Sequence, residues 1–247
     1  MGNGIEKLKT NEVKLKSEVM TQITQQCVEL CRSEDNKIPE IKGDVGTLHK
    51  THNVYQSTTA GFSNLTYLTF RKCVLVTAEA VQALFSLGKL VQLDFERCPR
   101  IHGGFVHLQG LSKLESLSIR CCQCIMDSDM EPLPGIASLK ELQVVCIYIT
   151  DYGVSYLGGL NKLVVLNMEG SHVTTSCLDT ISELPSQQSL NLNRYFLRDD
   201  GCEKFSALSD LNVLNLGFNH ITDECLGHLK GLTKLEGLNL DSCKIYG

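Results

Sequence analysis

The sequence contains no tryptophan, only five prolines, and no apolar run long enough for a membrane-spanning helix. It also lacks the apolar core of a secretory signal, because Lys and Glu are spread through the first 31 residues. Myristoylation is disfavoured, since Glu6 stands where that signal requires Ser or Thr. These absences favour a protein of the cytoplasm or the nucleus, with no membrane span.

Known catalytic motifs are missing as well. The sequence has no phosphate-binding P-loop, no Gly-x-Ser-x-Gly turn and no His-Glu-x-x-His helix. Its histidines have no nucleophile at a fixed spacing, so we expect no enzyme, no catalytic residue and no cofactor. The 28 acidic residues outnumber the 23 basic ones, and the net charge of −5 argues against nucleic acid as a partner.

Cysteine, by contrast, is abundant. The 12 cysteines are spread along the chain and do not form a compact framework. Without a secretory signal they belong in a reducing compartment, where buried cysteine acts as a small apolar residue. We therefore predict free thiols and no disulfide.

A repeat of 24 or 25 residues fills three quarters of the chain. Each copy follows the pattern Leu-x-x-Leu-x-Leu-x-x-Cys, numbered here as positions 1 to 9. The first positions of the eight copies are Leu65, Leu90, Leu114, Leu139, Leu163, Gln187, Leu211 and Leu235. The ninth, or ladder, positions are then Cys73, Cys98, Cys122, Ile147, Ser171, Tyr195, Asn219 and Cys243.

This repeat predicts an α/β solenoid. Positions 4 and 6 alternate with polar residues, as in a short strand with one buried face. Each copy would add one parallel strand to a curved sheet on the concave side and return along the convex side through helices and turns. Residues 77–84 and 223–229 predict two of these helices, the first behind a Thr cap.

The repeat resembles the cysteine-containing subclass of leucine-rich repeats, most clearly where Ile149-Thr150-Asp151 and Ile221-Thr222-Asp223 follow the ladder position. Residues 61–247 resemble the repeat region of plant F-box/LRR-like proteins, as in 96–104 and 199–205. The resemblance implies a leucine-rich-repeat solenoid that binds another protein, as the substrate-recognition part of ubiquitin ligases does. No Leu-Pro-rich F-box lies in residues 1–60, and a plant immune protein that senses a pathogen molecule is the alternative.

The first 60 residues carry no repeat. Residues 1–31 predict an amphipathic helix, whose apolar side would cap the first repeat or pair with a helix of a partner. Residues 32–60 are polar, contain Pro39, Gly43 and Gly46, and read as a linker. The repeat domain, 61–247, would then be open at its C-terminal end, with an unpaired strand edge that frays, self-associates or is covered by a partner, and we expect fraying in the isolated chain.

Two groups of residues have the composition of a zinc site. Cys27, Cys31, His49 and His52 follow one another in the order of a zinc finger, but the spacing and the intervening residues fit that template poorly. Cys98, Cys121, Cys122 and Cys124 are close in sequence, but successive ladder cysteines would lie parallel and would not converge on one ion. We therefore predict no metal.

The partner should bind the concave face, which the outward strand positions form. Basic residues gather on the first three copies, whereas the later copies are rich in amides and acids, so the face suits a charged partner. The candidate binding residues are Tyr67, Arg71, Lys72, Asp94, Glu96, Arg97, Arg120, Glu169, Asn191, Arg194 and Phe218.

Overall fold

A computed structural model describes residues 64–246, except Leu75 and Tyr195. The predicted N-terminal helix, the predicted linker and the Cys27–His52 group lie outside the described residues. Among those described, no helix is both long and apolar enough to cross a membrane.

Eight parallel strands form one open sheet in which each strand pairs with the next along the chain. The strands are β1 Tyr67–Arg71, β2 Gln92–Glu96, β3 Ser116–Arg120, β4 Glu141–Val145, β5 Val165–Asn167, β6 Ser189–Asn191, β7 Val213–Asn215 and β8 Gly237–Asn239. The register equals the sequence period, so that Leu68 pairs with Leu93 and Leu93 with Leu117. The eight predicted copies and their parallel pairing are confirmed.

The core lies between the sheet and the returning segments. The residues at positions 4 and 6 are buried in the first seven copies, and they form one continuous apolar cluster with residues of the return segments. Phe70, Phe95 and Phe105 stack within it, with ring centroids 5.4 and 6.5 Å apart along the series. Each copy buries its apolar side chains only against its neighbours, so the stack acts as the folding unit.

The return segments are short helices. The α-helices are α1 Ala78–Ala83, α2 Asp151–Ser155, α3 Leu178–Ile181 and α4 Asp223–Leu229. The 3₁₀ segments are Leu84–Ser86, Phe105–Gly110, Asp127–Asp129, Leu133–Gly135, Tyr156–Gly159, Thr175–Cys177 and Cys202–Ala207. The helices predicted over 77–84 and 223–229 are confirmed as α1, capped by Thr77, and α4, capped by Thr222.

The Ile-Thr-Asp sequence has a structural explanation. The Thr150 side chain accepts from the backbone N–H of Tyr152 at the start of α2 and donates to Asp127 of the preceding repeat at 2.6 Å. Asp127 also accepts from the Thr150 backbone N–H at 2.8 Å. The pairs Asp151–Thr174 and Asp199–Thr222 repeat this arrangement. These aspartates therefore cap the next repeat and hold successive turns together.

The ladder side chains bond successive turns on the inside of the solenoid. Cys98 Sγ donates to the Phe70 carbonyl at 3.5 Å, and Cys122 Sγ donates to the Phe95 carbonyl at 3.7 Å. Asn219 donates to the Leu192 carbonyl at 2.9 Å and accepts from the Leu197 N–H. Cysteine thus satisfies the same buried carbonyl as asparagine does, through a weaker bond.

One ladder assignment from the sequence is wrong. In the fourth copy the buried ladder residue is Cys146, 3% exposed, whose Sγ donates to the Ile119 carbonyl. Ile147, predicted for that position, is 46% exposed. The turn after β4 is one residue shorter than the pattern predicts. The pattern places the ladder residue at position 9 of every copy, so it does not reveal this deletion. The sixth ladder residue, Tyr195, lies outside the described residues.

The two halves of the sheet differ at the carboxyl ends of their strands. Strands β1 to β4 have five residues, whereas β5 to β8 have three and end at an asparagine. The Oδ1 atoms of Asn167, Asn191, Asn215 and Asn239 each accept the backbone N–H two residues further on, at 2.8–3.1 Å. An asparagine that bonds to the backbone in this way initiates a turn, so these residues end the strands early.

Candidate partner-binding face

The outward side chains of the eight strands form a continuous surface, which we call the strand face. It consists of positions 3, 5 and 7 of each repeat. Because the strands are parallel and in register, equivalent residues line up in columns, and successive residues of one column are about 4.8 Å apart. Position 5, for example, reads Thr69, Asp94, Ser118, Gln143, Asn167, Asn191, Asn215 and Asn239.

The basic end of the strand face is an ion-pair cluster. Arg71 Nε lies 2.8 Å from Glu96 Oε2, and Arg120 Nη2 lies 3.8 Å from the same oxygen. Partial burial alone would raise the pKa of Glu96, but the hydrogen bond and charge of Arg71, together with Arg120, hold that pKa below its usual value. One carboxylate thus lies between two guanidinium groups, and the charge of this end is smaller than a count of its bases indicates.

Asp94 is buried beneath this surface, although the sequence placed it among the binding residues. Its Oδ2 accepts from the Tyr67 hydroxyl at 2.9 Å and from the Thr69 hydroxyl at 3.2 Å. Tyr67 and Asp94 therefore contact each other, and their geometry fits a role in holding β1 against β2. A partner would meet the Tyr67 ring before it met the carboxylate.

The opposite end of the strand face is acidic and rich in amides. The position-7 column there reads Glu169, Asn193, Gly217 and Asp241. The Oδ1 atom of Asn191 accepts the backbone N–H of Asn193, and this hydrogen bond fixes the orientation of the amide group. Glu169 and Asp241 have no basic partner among the described residues. The predicted acidic character of the later repeats therefore lies on side chains without a basic partner among the described residues, whereas Glu96 and Asp94 offset the arginines of the first three repeats.

Five predicted binding residues do not lie on a strand: Glu169 lies two residues beyond the end of β5, and the other four are at position 8. Lys72, Arg97, Arg194 and Phe218 occupy position 8, just after β1, β2, β6 and β7, with φ between 53° and 63°. Cys121, Ser242 and Gly170 share this left-handed conformation at the same position. The side chains at position 8 therefore project from the edge where the strands end. We call this edge the rim: position 8 and the residue that follows each ladder residue.

The rim carries an aromatic cluster that sequence reasoning missed. The Phe196 ring lies between those of His172 and His220, with centroids 6.1 and 6.5 Å away. The Arg194 guanidinium lies over the Phe218 ring, 5.3 Å from its centroid. The available signal was that His172, Phe196 and His220 all follow the ladder position directly, at the period of the repeat.

One His–Asp pair resembles part of a catalytic site. His102 Nδ1 lies 2.8 Å from Asp129 Oδ2, and the buried Asp129 also accepts the backbone N–H groups of Gly103 and Met126. The nearby Cys124 directs its Sγ at the Cys98 carbonyl, and burial raises the pKa of its thiol. A raised pKa makes a cysteine a poorer nucleophile, so this geometry supports a structural role.

Asp199, Cys202 and Cys225 bring three possible metal ligands within 4.8 Å of one another. Both Asp199 oxygens are already used by Thr222, as in the equivalent Asp–Thr pairs of other repeats. Cys202 and Cys225 are both fully buried members of the apolar core. The repeat therefore accounts for all three residues without an ion, and the absence of metal stays a prediction.

Two shallow depressions interrupt the described surface. One, of about 190 Å³, lies at the amino ends of β2 to β4 and is lined by residues such as Gln92 and Lys140. The other, of about 90 Å³, lies beside Gln187 and Pro185. The first lies on the strand face itself, because Gln92 is a position-3 residue, and neither depression brings together the residue types of an active site.

Comparison with known proteins agrees with this architecture. A family model described as "Leucine Rich repeat" matches residues 207–226. The chain folds as a leucine-rich-repeat solenoid. It is similar to an internalin (inlF) from Listeria monocytogenes, with 19% identity and a TM-score of 0.51 over 78% of this chain. It spans 59% of that protein.

A second similar structure is internalin C2 from the same organism, with 19% identity and a TM-score of 0.53. That match covers 74% of this chain and 83% of the internalin. A search of curated proteins finds no match. At 19% identity these comparisons establish the fold alone.

Proposed function

We propose that this solenoid is a non-enzymatic module that binds another protein on its strand face. The observation that carries the proposal is the strand face itself: an extended surface of eight registered strands, with the exposed arginines Arg71 and Arg120 at one end and the acids Glu169 and Asp241 at the other. Charged and aromatic side chains in such an arrangement give a protein interface its orientation and much of its affinity.

We further propose that the module works in the cytoplasm or the nucleus, as the substrate-recognition component of a ubiquitin ligase. The resemblance of residues 61–247 to plant F-box/LRR-like repeats supports this assignment. The reduced cysteines expected inside cells fit the buried thiols of the ladder. The second candidate is immune recognition, in which the same charged face would hold a pathogen molecule.

Affinity purification of the tagged chain from plant tissue separates the two roles. Cullin-ligase subunits among the partners would support the first role, and microbial or immune components would support the second. A partner found in this way should then be purified and titrated against variants of the strand face.

The decisive variant is Arg71→Ala combined with Arg120→Ala. Both guanidinium groups are exposed, so the folding free energy should fall by no more than about 0.5 kcal/mol for each change. Loss of two interface arginines should weaken binding by more than about 1 kcal/mol for each. Lys113→Ala with Lys162→Ala removes two exposed bases outside the strand face and should leave affinity unchanged. Equal affinity for both double variants would exclude the basic end as the binding surface.

A further inference from the structure

The rim has a charge character of its own. Its described side chains are exposed, leaving aside Cys146, which stands at position 8 of repeat 4 but enters the ladder, and no described rim position holds Asp or Glu, although the whole chain carries a net charge of −5. Four rim positions are basic, namely Lys72, Arg97, Arg194 and Lys244. The acidic residues Glu169 and Asp241 of the acidic end project instead from the strand face. The carboxyl ends of the strands therefore present a basic edge on an acidic protein.

In repeats 5 to 7 this edge is also aromatic. Phe196 is 55% exposed and Phe218 is 48% exposed, and both are in contact with further rings or a cation. His172, Phe196 and His220 form a row of rings along the solenoid. Exposed aromatic groups beside an arginine are the residue types that dominate binding energy at protein interfaces.

Phe218 lies at the left-handed turn of its repeat. It has a φ of 58°, and Lys72, Arg97, Cys121, Arg194 and Ser242 adopt the same conformation at the same position. The conformation therefore belongs to the turn of the repeat, and the case for the cluster rests on its exposed rings and its cation.

Arg194 is available to a partner. It has no carboxylate partner among the described residues, and its guanidinium is held above the Phe218 ring. The cation–π contact restricts the side chain, so that less conformational entropy is lost on binding. A carboxylate could pair with this guanidinium while an apolar side chain packs against Phe196.

We propose that His172, Arg194, Phe196, Phe218 and His220 form a docking surface for an acidic protein segment that carries aromatic or aliphatic side chains between its carboxylates. The proposal rests on the proposed protein-binding function and names a class of partner for a second surface beside the strand face. A protein segment is the occupant that these side chains favour, because exposed phenylalanines beside an arginine are the residue types enriched at protein interfaces, and nucleic acid is the competing outcome of the test.

The test uses the full chain and a synthetic fluorescent peptide in which glutamate alternates with phenylalanine. A counterpart with lysine in place of glutamate reports charge selectivity, and a single-stranded oligoribonucleotide serves as the competing class of ligand. Binding is followed by fluorescence anisotropy at two salt concentrations. We expect saturable binding of the glutamate peptide, weakened by salt, and no saturable binding of the lysine peptide.

Matched variants locate the contact. Arg194→Ala and Phe196→Ala should each weaken the glutamate peptide about tenfold. Phe85→Ala removes an aromatic ring of similar exposure, 62%, from the helical side and should leave affinity unchanged. Thermal melts of all three variants show whether each remains folded, so that a loss of binding is not a loss of structure.

Three outcomes would overturn the proposal. One is the absence of saturable binding of the glutamate peptide, and a second is equal weakening by Phe85→Ala and the rim variants. The third is tighter binding of the oligoribonucleotide, which would assign the rim to nucleic acid. The broader function is tested separately. A purified partner could lose affinity for the Arg71→Ala, Arg120→Ala variant and bind the rim variants as tightly as the wild type. That result would support binding on the strand face and refute the docking surface on the rim.

Discussion

Replacing Gln187 with leucine should stabilise the solenoid, because the repeat here has a polar residue at an apolar position. The other seven copies have leucine at position 1, and Gln187 is only 2% exposed. Its Nε2 donates to the Val164 carbonyl at 3.0 Å, whereas its Oε1 has no hydrogen-bond partner among the described residues. An unpaired buried acceptor costs about 1–3 kcal/mol.

The substitution should leave no new polar group unpaired. The Val164 carbonyl also accepts the backbone N–H groups of Gln188 and Ser189, at 2.9 and 3.0 Å, and so keeps two donors without the amide. The lost hydrogen bond is worth about 1 kcal/mol, and the added apolar burial about offsets it. The depression beside Gln187 leaves room for the leucine side chain. The free energy of unfolding should therefore rise by about 1–3 kcal/mol.

Urea denaturation followed by circular dichroism measures this change, and the melting temperature should rise by about 2–4 °C for each kcal/mol. Gln187→Met is a second test, since it removes the amide and keeps an unbranched chain of similar length. The reverse change, Leu211→Gln, should destabilise the protein by more than about 2 kcal/mol. A Gln187→Leu protein that unfolds at the wild-type or a lower urea concentration would show that Oε1 is satisfied, and the reasoning would fail.

Three further predictions concern the thiols and the last strand. Burial raises the pKa of Cys146 from 9.0 to about 12, so the folded state retains this proton longer than the unfolded state. Stability should fall by about 1.4 kcal/mol per pH unit from this thiol as the pH rises between those values, and Cys146→Val should reduce that slope. An unchanged slope in the variant would contradict the assignment. Elemental analysis of the purified chain should find no stoichiometric zinc, and about one zinc per chain would refute this prediction and leave the Asp199–Cys202–Cys225 group and the two groups named from the sequence to be separated by substitution. In the isolated chain, hydrogen exchange should be faster in β8, where Leu238 is 43% exposed, than in β5, where Leu166 is fully buried. Equal protection in a monomeric sample would mean that β8 is stabilised by contacts other than those with β7.

The arrangement of the strands followed from the sequence because the repeat is encoded locally. Leucines at positions 4 and 6 determine which face of each strand is buried, and the period determines the register. Thr77 and Thr222 mark helix starts, because each side chain accepts the backbone N–H of a residue two or three positions further on. This signal is short-range and can be read from the local sequence. Such features depend on neighbours along the chain, so they could be predicted without coordinates.

The candidate site was less predictable, because its properties depend on contacts between repeats. Glu96 pairs with Arg71 and Arg120, each about one repeat away, and so reduces the charge that a list of bases indicates. The carboxylate of Asp94 is buried by Tyr67 and Thr69 of the preceding strand. Position in a strand tells which way a side chain leaves the sheet, but not which neighbour covers it.

By itself, the sequence determined the number of repeats, the direction and register of the strands, and the side of each strand that faces the core. Only the tertiary structure decided that Cys146 and not Ile147 enters the ladder, since a one-residue deletion in a turn becomes visible once the buried neighbours are in place. It also decided that position 8 turns into the left-handed conformation and that Phe196, His172 and His220 meet at the rim. The physical reason is that periodicity records how residues of one copy face the core, whereas the binding surfaces arise from side chains of different copies that meet only when the copies stack.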